Sequence, residues 1–142
     1  MKTLKSVMFG LALLVACTAA KAINKPTPAT LTKNDVLEIY VNAVIHGKID
    51  GLDKILSDDV HYKMYRGDNV VMLNKKRILE SFKATENVEQ DCKYTTSIVE
   101  DNNDGMVVKL EMKYGNYTRV NLITISSDRP DWKITKIEIP AS

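Results

Sequence analysis

The chain has 142 residues, of which 44% are hydrophobic and 27% charged, and its 20 basic and 18 acidic side chains give a formal net charge of +2 at pH 7. Lys2, Lys5 and Lys21 lie in the first 22 residues, which contain no acid, so the other 120 residues carry 17 basic and 18 acidic side chains. That balance provides no electrostatic case for nucleic-acid binding, and the length fits one domain with a substantial core.

The first 22 residues have the three parts of a secretory signal peptide. Two lysines open the segment, the run from Val7 to Ala16 is apolar apart from one glycine, and Ala20 and Ala22 are small residues of the kind that a signal peptidase recognises. The apolar run is shorter than the roughly 20 residues of a membrane-spanning helix. We therefore expect residues 1–22 to be removed and the protein to be exported, either to the periplasm or out of the cell.

A second cleavage site competes with the first. Leu14-Val15-Ala16-Cys17 resembles a bacterial lipobox, in which the cysteine is acylated and becomes the first residue of the mature protein. Cleavage after Ala22 is favoured, because the small residues there lie at the usual distance from the apolar run. The mature chain then keeps a single cysteine, Cys92, and cannot form an internal disulfide. Cleavage before Cys17 would instead leave a lipoprotein anchored through that residue.

Residues 23–31 contain two prolines and show no periodicity, which is typical of a flexible linker. Thr32 and Asp35 form a capping-box pattern that predicts the start of a helix. Gly47 is a natural end for this helix, because glycine adopts the left-handed conformation without steric cost. A second, short helix is expected next, with Asp50 as its cap. The first helix presents an apolar stripe made of Val36, Tyr40, Ala43 and Val44.

The periodicity then changes from helical to alternating. Val60, Tyr62 and Met64 occupy every second position, which predicts a strand whose inward face carries these side chains. A turn and a return strand follow over residues 67–73, and Asn74 is placed to cap a third helix.

Four more strands are predicted towards the end of the chain, over residues 92–101, 106–114, 117–125 and 132–139. The alternation of the last strand slips between Ile134 and Ile137, so we expect a bulge near Thr135. Helices that come first and pack on an antiparallel sheet make an α+β domain, here over residues 32–142. A strongly curved sheet wrapped on the long helix would enclose a cone-shaped cavity.

Three segments carry a resemblance to a known superfamily, namely Tyr40-Val41-Asn42-Ala43, residues 46–52 and Leu56-Ser57-Asp58-Asp59-Val60. They resemble the opening of nuclear transport factor 2-like domains, which begin with a helix, a Gly-x-x-x-x-Leu connection and an Asp-Asp pair before the first strand. The exported lumazine-binding and SnoaL-like members of that superfamily look most similar. The resemblance implies the cone fold over nearly the whole mature chain. It says little about function, because the superfamily holds enzymes, binding modules and assembly domains.

One enzymatic branch, the ketosteroid isomerases, can be compared residue by residue. Its chemistry needs a carboxylate base and hydrogen-bond donors for an enolate oxygen. The resemblance places Tyr40 at the donor tyrosine, Asn121 at a protonated aspartate donor and Met64 at the base. Methionine cannot accept a proton, so the comparison argues against isomerase activity and leaves open whether the chain is an enzyme.

We expect the cone to hold a small, mostly apolar ligand, without catalysis and without a cofactor. The residues predicted to line it are Tyr40, Tyr62, Met64, Asn121 and Trp132. The simpler interpretation of Tyr40 is a core tyrosine whose hydroxyl is bonded locally. A buried Asn121 must find partners, either within the protein or on a ligand.

Two other functions are compatible with the sequence. One is an isomerase-type or hydrolase-type enzyme of the SnoaL-like kind that uses Tyr40 with Asn121. The other is a dimeric interaction module that associates through the outer face of the sheet, where Lys109, Glu111 and Lys113 are expected.

The sequence does not predict a metal site. His46, His61 and Cys92 lack the spacing of zinc ligands, and residues 101–105 fail as a calcium loop because Met112 stands where the closing glutamate should be. His46 is expected at the end of the first helix, where a positive charge suits the helix dipole. His61 is expected to be exposed.

Mass analysis of the exported protein tests the predicted cleavage. We expect the mature chain to begin at Ile23, because the peptidase site ends at Ala22. A mature chain that begins at an acylated Cys17 would contradict this site and identify a lipoprotein.

Overall fold

The computed structural model describes residues 30–141. The predicted signal peptide with Cys17 lies outside the described residues, as does most of the predicted linker. Leu31, the last residue assigned to that linker, packs against the hydrophobic core. Among residues 30–141, no helix combines the length and the apolar character that a membrane crossing requires.

The first helix, α1, spans Lys33–His46 and has the ends that the sequence predicts. The Asp35 backbone N–H donates to the Thr32 hydroxyl at 3.1 Å, and the Thr32 N–H donates to the Asp35 carboxylate at 2.9 Å. This confirms the capping box. Gly47 follows the helix with φ 65°, so the predicted left-handed end is also confirmed.

Two shorter helices follow. α2 spans Leu52–Ile55, and its predicted cap is wrong: Gly51 rather than Asp50 precedes the helix, with φ 82° and no side-chain hydrogen bond. The left-handed turn needed at that point suits glycine, which has no Cβ to clash. α3 spans Lys75–Ala84, and the Asn74 side chain caps it as predicted by accepting from the Arg77 N–H at 3.0 Å.

The strands are β1 (Leu56–Arg66), β2 (Asn69–Leu73), β3 (Lys93–Asp101), β4 (Gly105–Lys113), β5 (Thr118–Asp128) and β6 (Asp131–Ile139). They form one sheet in the order β2-β1-β6-β5-β4-β3, and the α+β class is confirmed. One pair differs from the expected antiparallel arrangement, since β1 and β6 run parallel and make the sheet mixed. Parallel neighbours need a long crossover, and here most of the domain lies between these two strands in sequence.

The predicted bulge in β6 is confirmed. Thr124 pairs with Lys136 and Ile125 pairs with Ile134, so Thr135 is the extra residue. Its hydroxyl lies 3.0 Å from the Ser126 hydroxyl. Because one residue is inserted, Ile134 and Ile137 both face the core, and both are fully buried.

The core lies between the helices and one face of the sheet. On the sheet side the buried residues alternate along β4 and β5, and they include Met106, Val108, Leu110, Met112, Ile123 and Ile125. The intervening residues of β4 lie on the outer face, as the alternation predicts. There Lys109 and Lys113 approach Glu111 with N–O distances of 3.8 and 3.9 Å.

The segment after α3 is fastened to the end of α1. The Asn87 N–H donates to the Gly47 carbonyl at 2.9 Å, and the Gln90 N–H donates to the Ile45 carbonyl at 2.8 Å. His46 Nδ1 lies 2.7 Å from a carboxylate oxygen of Glu89, so this histidine has a specific partner in addition to its place at the helix end. These contacts hold residues 85–90 against α1.

Replacing Gly47 by alanine tests this fastening. A Cβ at Gly47 would lie 2.6 Å from the backbone nitrogens of Asn87 and Val88, at a residue with φ +65°. We expect the free energy of unfolding to fall by about 2–4 kcal/mol, because left-handed strain and a backbone clash act together.

Gly67→Ala is the matched control, since Gly67 has φ +57° but no heavy atom within 4 Å of the added Cβ. Its expected loss is about 1 kcal/mol, from the strain alone. Urea denaturation followed by circular dichroism measures both losses. Equal decreases in the free energy of unfolding of the two variants would contradict a close approach between Gly47 and the backbone of residues 87 and 88.

Candidate functional site

A cavity of about 180 Å³ lies between the helices and the sheet, and we call it the Tyr40 cavity. Its wall combines side chains of α1, α3 and the sheet with residues of the segment after α3. The lining residues are Tyr40, Ala43, Val44, Tyr62, Leu73, Ile78, Ser81, Phe82, Thr85, Gln90, Met112, Tyr114, Arg119 and Asn121. The structure therefore brings together three of the five residues predicted to line a pocket, namely Tyr40, Tyr62 and Asn121.

Helical and strand periodicity aim these three side chains at the same space. Tyr40 lies on the buried stripe of α1 and is 0% exposed, and its ring meets Phe82 edge-on with centroids 6.1 Å apart. Tyr62 alternates with exposed His61 on β1. Asn121 shares the inward face of β5 with Ile123 and is 3% exposed.

A hydrogen bond joins the two most buried polar side chains of the cavity. Asn121 Nδ2 donates to the Tyr40 hydroxyl oxygen at 2.9 Å. Asn121 Oδ1 is also buried, and it has no hydrogen-bond partner among the described residues. An unsatisfied buried acceptor costs about 1–3 kcal/mol. With one bond made to Tyr40 through Nδ2, the oxygen of the Asn121 amide is left without a partner among the described residues, at a residue that lines the cavity.

Burial governs the ionisation of the two phenols. Burial raises the pKa of Tyr40 well above its ordinary value, and Tyr62 raises it further, while the Asn121 hydrogen bond and the charge of Arg119 lower it in part. Burial likewise raises the pKa of Tyr62, against the lowering effects of Arg119 and Arg66. Both phenols are therefore protonated at neutral pH. Tyr40 accepts from Asn121, so its own O–H is available as a donor.

Five further polar residues line the cavity and were not among the predicted set: Ser81, Thr85, Gln90, Tyr114 and Arg119. The Tyr114 hydroxyl donates to Gln90 Oε1 at 2.7 Å. Strand alternation could have predicted two of them. Tyr114 comes two residues after the inward-facing Met112, and Arg119 comes two residues before the inward-facing Asn121. Gln90 lies in a segment without periodicity, and only its tertiary contact with α1 places it.

The expectation that Met64 and Trp132 share this cavity is corrected. Met64 lies two residues beyond Tyr62, about 7 Å further along β1, and lines a neighbouring cavity instead. Trp132 is half-buried at the start of β6, where Lys33 Nζ lies 5.0 Å from the centre of its ring. Tyr62 pairs with Ile137 of the same strand. Ile137 pairs with Ile123 and Trp132 with Ser127, so Trp132 lies four ladder positions, or about 13 Å, away.

The chemistry available in the Tyr40 cavity is hydrogen bonding beside an apolar surface. Phenol hydroxyls, two amides and one guanidinium converge there, and the described lining residues include no carboxylate and no imidazole. Within residues 30–141, no three His, Cys, Asp or Glu side chains are grouped as metal ligands would be.

Comparisons with known proteins identify the fold. No family model matches the sequence, and no curated protein matches it. Solved structures do match. A nuclear transport factor 2-like protein of unknown function from Silicibacter pomeroyi superposes with a TM-score of 0.62 at 15% identity, covering 75% of this chain and 90% of that one.

Two further neighbours agree. A nuclear transport factor 2-like protein from Cytophaga hutchinsonii gives a TM-score of 0.58 at 15% identity, over 76% of this chain and 93% of its own. A nuclear transport factor 2-like protein of unknown function from Shewanella baltica gives a TM-score of 0.57 at 11% identity, over 76% of this chain and 90% of its own. At such identities the likeness concerns the fold alone. The chain therefore has the nuclear transport factor 2-like fold, as its opening segments predict.

Proposed function

We propose that this chain is a binding domain that holds a small ligand in the Tyr40 cavity, without catalysis and without a cofactor. The observation that carries the proposal is Asn121 Oδ1, a buried acceptor that has no partner among the described residues and belongs to a residue of the cavity wall. A ligand that donates a hydrogen bond to this oxygen would offset its desolvation.

The polar pair specifies the chemistry of such a ligand. Tyr40 has an O–H to donate and Asn121 has an oxygen to accept, so a carbonyl next to an N–H or O–H would satisfy both. Leu73, Ile78 and Phe82 offer apolar contact to the rest of the molecule. The cavity volume of about 180 Å³ is below the 300–1,000 Å³ of typical ligand sites, which favours a small molecule.

The same groups support binding rather than proton transfer. Tyr40 remains protonated because burial raises its pKa, and the neutral amide of Asn121 is not a base. Met64, at the position of the isomerase base, lines another cavity. In this proposal the leader of residues 1–22 directs export, and the chain is a lumazine-binding or SnoaL-like relative that meets its ligand outside the cytoplasm.

A titration with 2-piperidone tests the proposal, because this six-membered lactam carries a carbonyl beside an N–H on an apolar ring. Chemical-shift changes in the ¹⁵N-labelled full chain are expected at Tyr40, Ile78 and Asn121. N-methyl-2-piperidone lacks the donor for Asn121 and is expected to bind about tenfold more weakly, as the loss of one buried hydrogen bond implies.

Tyr40→Phe is expected to weaken 2-piperidone binding about tenfold for the same reason. Tyr117→Phe is the matched control, because it also removes one phenol hydroxyl, from an exposed residue outside the cavity wall. Equal affinity of wild type and Tyr40→Phe, or shift changes confined to the protein surface, would end the proposal.

Self-association is a second candidate function, and the edge of the sheet favours it. β3 is an edge strand whose nine residues are all exposed. Tyr94, Ile98 and Val99 have exposed fractions of 42, 60 and 61%. An exposed strand edge with apolar side chains can pair with another strand. The outer-face residues first considered for a dimer are less suitable, because Glu111 already has two lysine partners.

Sedimentation velocity of the wild type and of Ile98→Lys tests self-association. If β3 pairs between copies, the wild type forms dimers as its concentration rises and Ile98→Lys stays monomeric, because a charge is placed on the apolar edge. Thr95→Lys is the control for added charge on the same strand. A monomeric wild type at the highest soluble concentration would exclude this candidate.

A further inference from the structure

A second cavity, of about 400 Å³, lies where β6 ends, and we call it the arginine cavity after Arg66 and Arg119 in its wall. The pairing registers explain its position. Met64 of β1 pairs with Ile139, the last residue of β6, and Glu138 pairs with Leu122 of β5. Both outer strands extend beyond the end of β6, and so the two arginines flank the place where the middle strand stops.

Strand alternation puts both arginines on the same face of the sheet. Arg66 follows Tyr62 by four residues on β1, and Arg119 precedes Asn121 by two on β5. Side chains two or four residues apart in a strand point to the same side. Tyr62 and Asn121 are buried on the inward side, so both guanidinium groups leave the sheet on that side.

Among residues 30–141, no acidic side chain pairs with either of these positive charges. The described lining residues of the arginine cavity include no aspartate or glutamate. Within the part of the chain that the structure describes, neither guanidinium has a carboxylate oxygen within 4.0 Å. Arg66 Nε donates to the Met64 sulfur at 3.3 Å, and a thioether sulfur is a weak acceptor. Both charges act on the Tyr62 phenol: burial raises its pKa, and Arg119 and Arg66 lower it.

The cavity also has an aromatic wall. Tyr117, which comes two residues before Arg119, lines it together with Ile139 and Pro140, and Tyr65 lines it from the other face of β1. Tyr117 is 58% exposed, and its ring stacks on Tyr114 with centroids 4.7 Å apart and planes 11° apart. The stack holds the Tyr117 ring in place although it faces solvent. Apolar ring surface next to guanidinium groups that have no carboxylate partner among residues 30–141 suits a molecule with both an apolar part and an anionic group.

We propose that the arginine cavity is a second binding site, which takes the carboxylate or phosphate group of a small organic anion between Arg66 and Arg119. A guanidinium presents paired N–H donors that match the oxygens of either group, and an anion between two arginines removes their mutual repulsion. The aromatic wall receives the organic part of the ligand. The site adjoins the Tyr40 cavity: Arg119 lines both, and the other residues of the two walls differ.

Calorimetric titrations of the full chain with benzoate and with phenyl phosphate test the site, and benzamide serves as the neutral probe of the same shape. We expect at least one anion to bind and benzamide to bind at least tenfold more weakly. The tighter of the two anions identifies whether carboxylate or phosphate is the preferred group. Arg66→Gln and Arg119→Gln are each expected to weaken anion binding about tenfold, as the loss of a charge-assisted hydrogen bond implies.

Arg77→Gln is the matched control, because Arg77 is an exposed residue of α3 outside the wall of the arginine cavity. An equal loss in Arg77→Gln would show general attraction to a positive surface and overturn the proposal, as would unchanged affinity in Arg66→Gln. Arg66→Lys keeps the charge and is expected to recover part of the affinity. The affinity of Tyr40→Phe for the anion is expected to be within about twofold of that of the wild type, because Tyr40 lies outside the wall of the arginine cavity. The proposal for this site is therefore tested separately from the proposal for the Tyr40 cavity.

Discussion

The position of β6 between β1 and β5 is the constraint on which the rest of the described structure depends. β6 joins the β2-β1 pair to the β5-β4-β3 meander, and no other strand in residues 30–141 connects them. Its core residues Ile134 and Ile137 are fully buried, and they sit in one face only because Thr135 is bulged. The two partners of β6 come from opposite ends of the domain in sequence. The pairing of β6 with β5 is a local hairpin, whereas its pairing with β1 is non-local and costs loop-closure entropy before it stabilises the sheet.

Both cavities follow from this arrangement. β1 and β5 are each paired with β6 on one side, and their inward side chains converge on the space beneath α1, where Tyr62 and Asn121 meet Tyr40. Beyond Ile139 the same two strands continue without a middle strand, and that gap forms the second cavity. Tyr40 has two roles at once, since its ring packs in the core against Phe82 while its hydroxyl reaches Asn121.

Local signals in the sequence predict well where helices and strands begin and end. They predict poorly which residues of distant strands lie next to each other. Thr32 caps its helix and Thr135 bulges its strand where the pattern indicates, because both effects depend on residues only a few positions apart. Asp50 fails as a cap because the turn needs a left-handed residue, which Gly51 supplies. Trp132 and Met64 fail as partners of Tyr40 for another reason. Alternation specifies the face on which a side chain lies, but the pairing of distant strands decides how far along the sheet it lies.

The middle position of β6 has a further consequence for the integrity of the chain. The sheet formed by residues 30–141 has two open edges, at β2 and β3. A chain that lost its last strand, through premature termination or proteolysis, would instead hold two separate sheet fragments with four open edges, including those of β1 and β5 that β6 normally covers. Unpaired edges recruit strands from other molecules. The nine residues of β6 thus protect the edges of β1 and β5 from pairing with other molecules. Loss of these residues is expected to lower the solubility of the protein first.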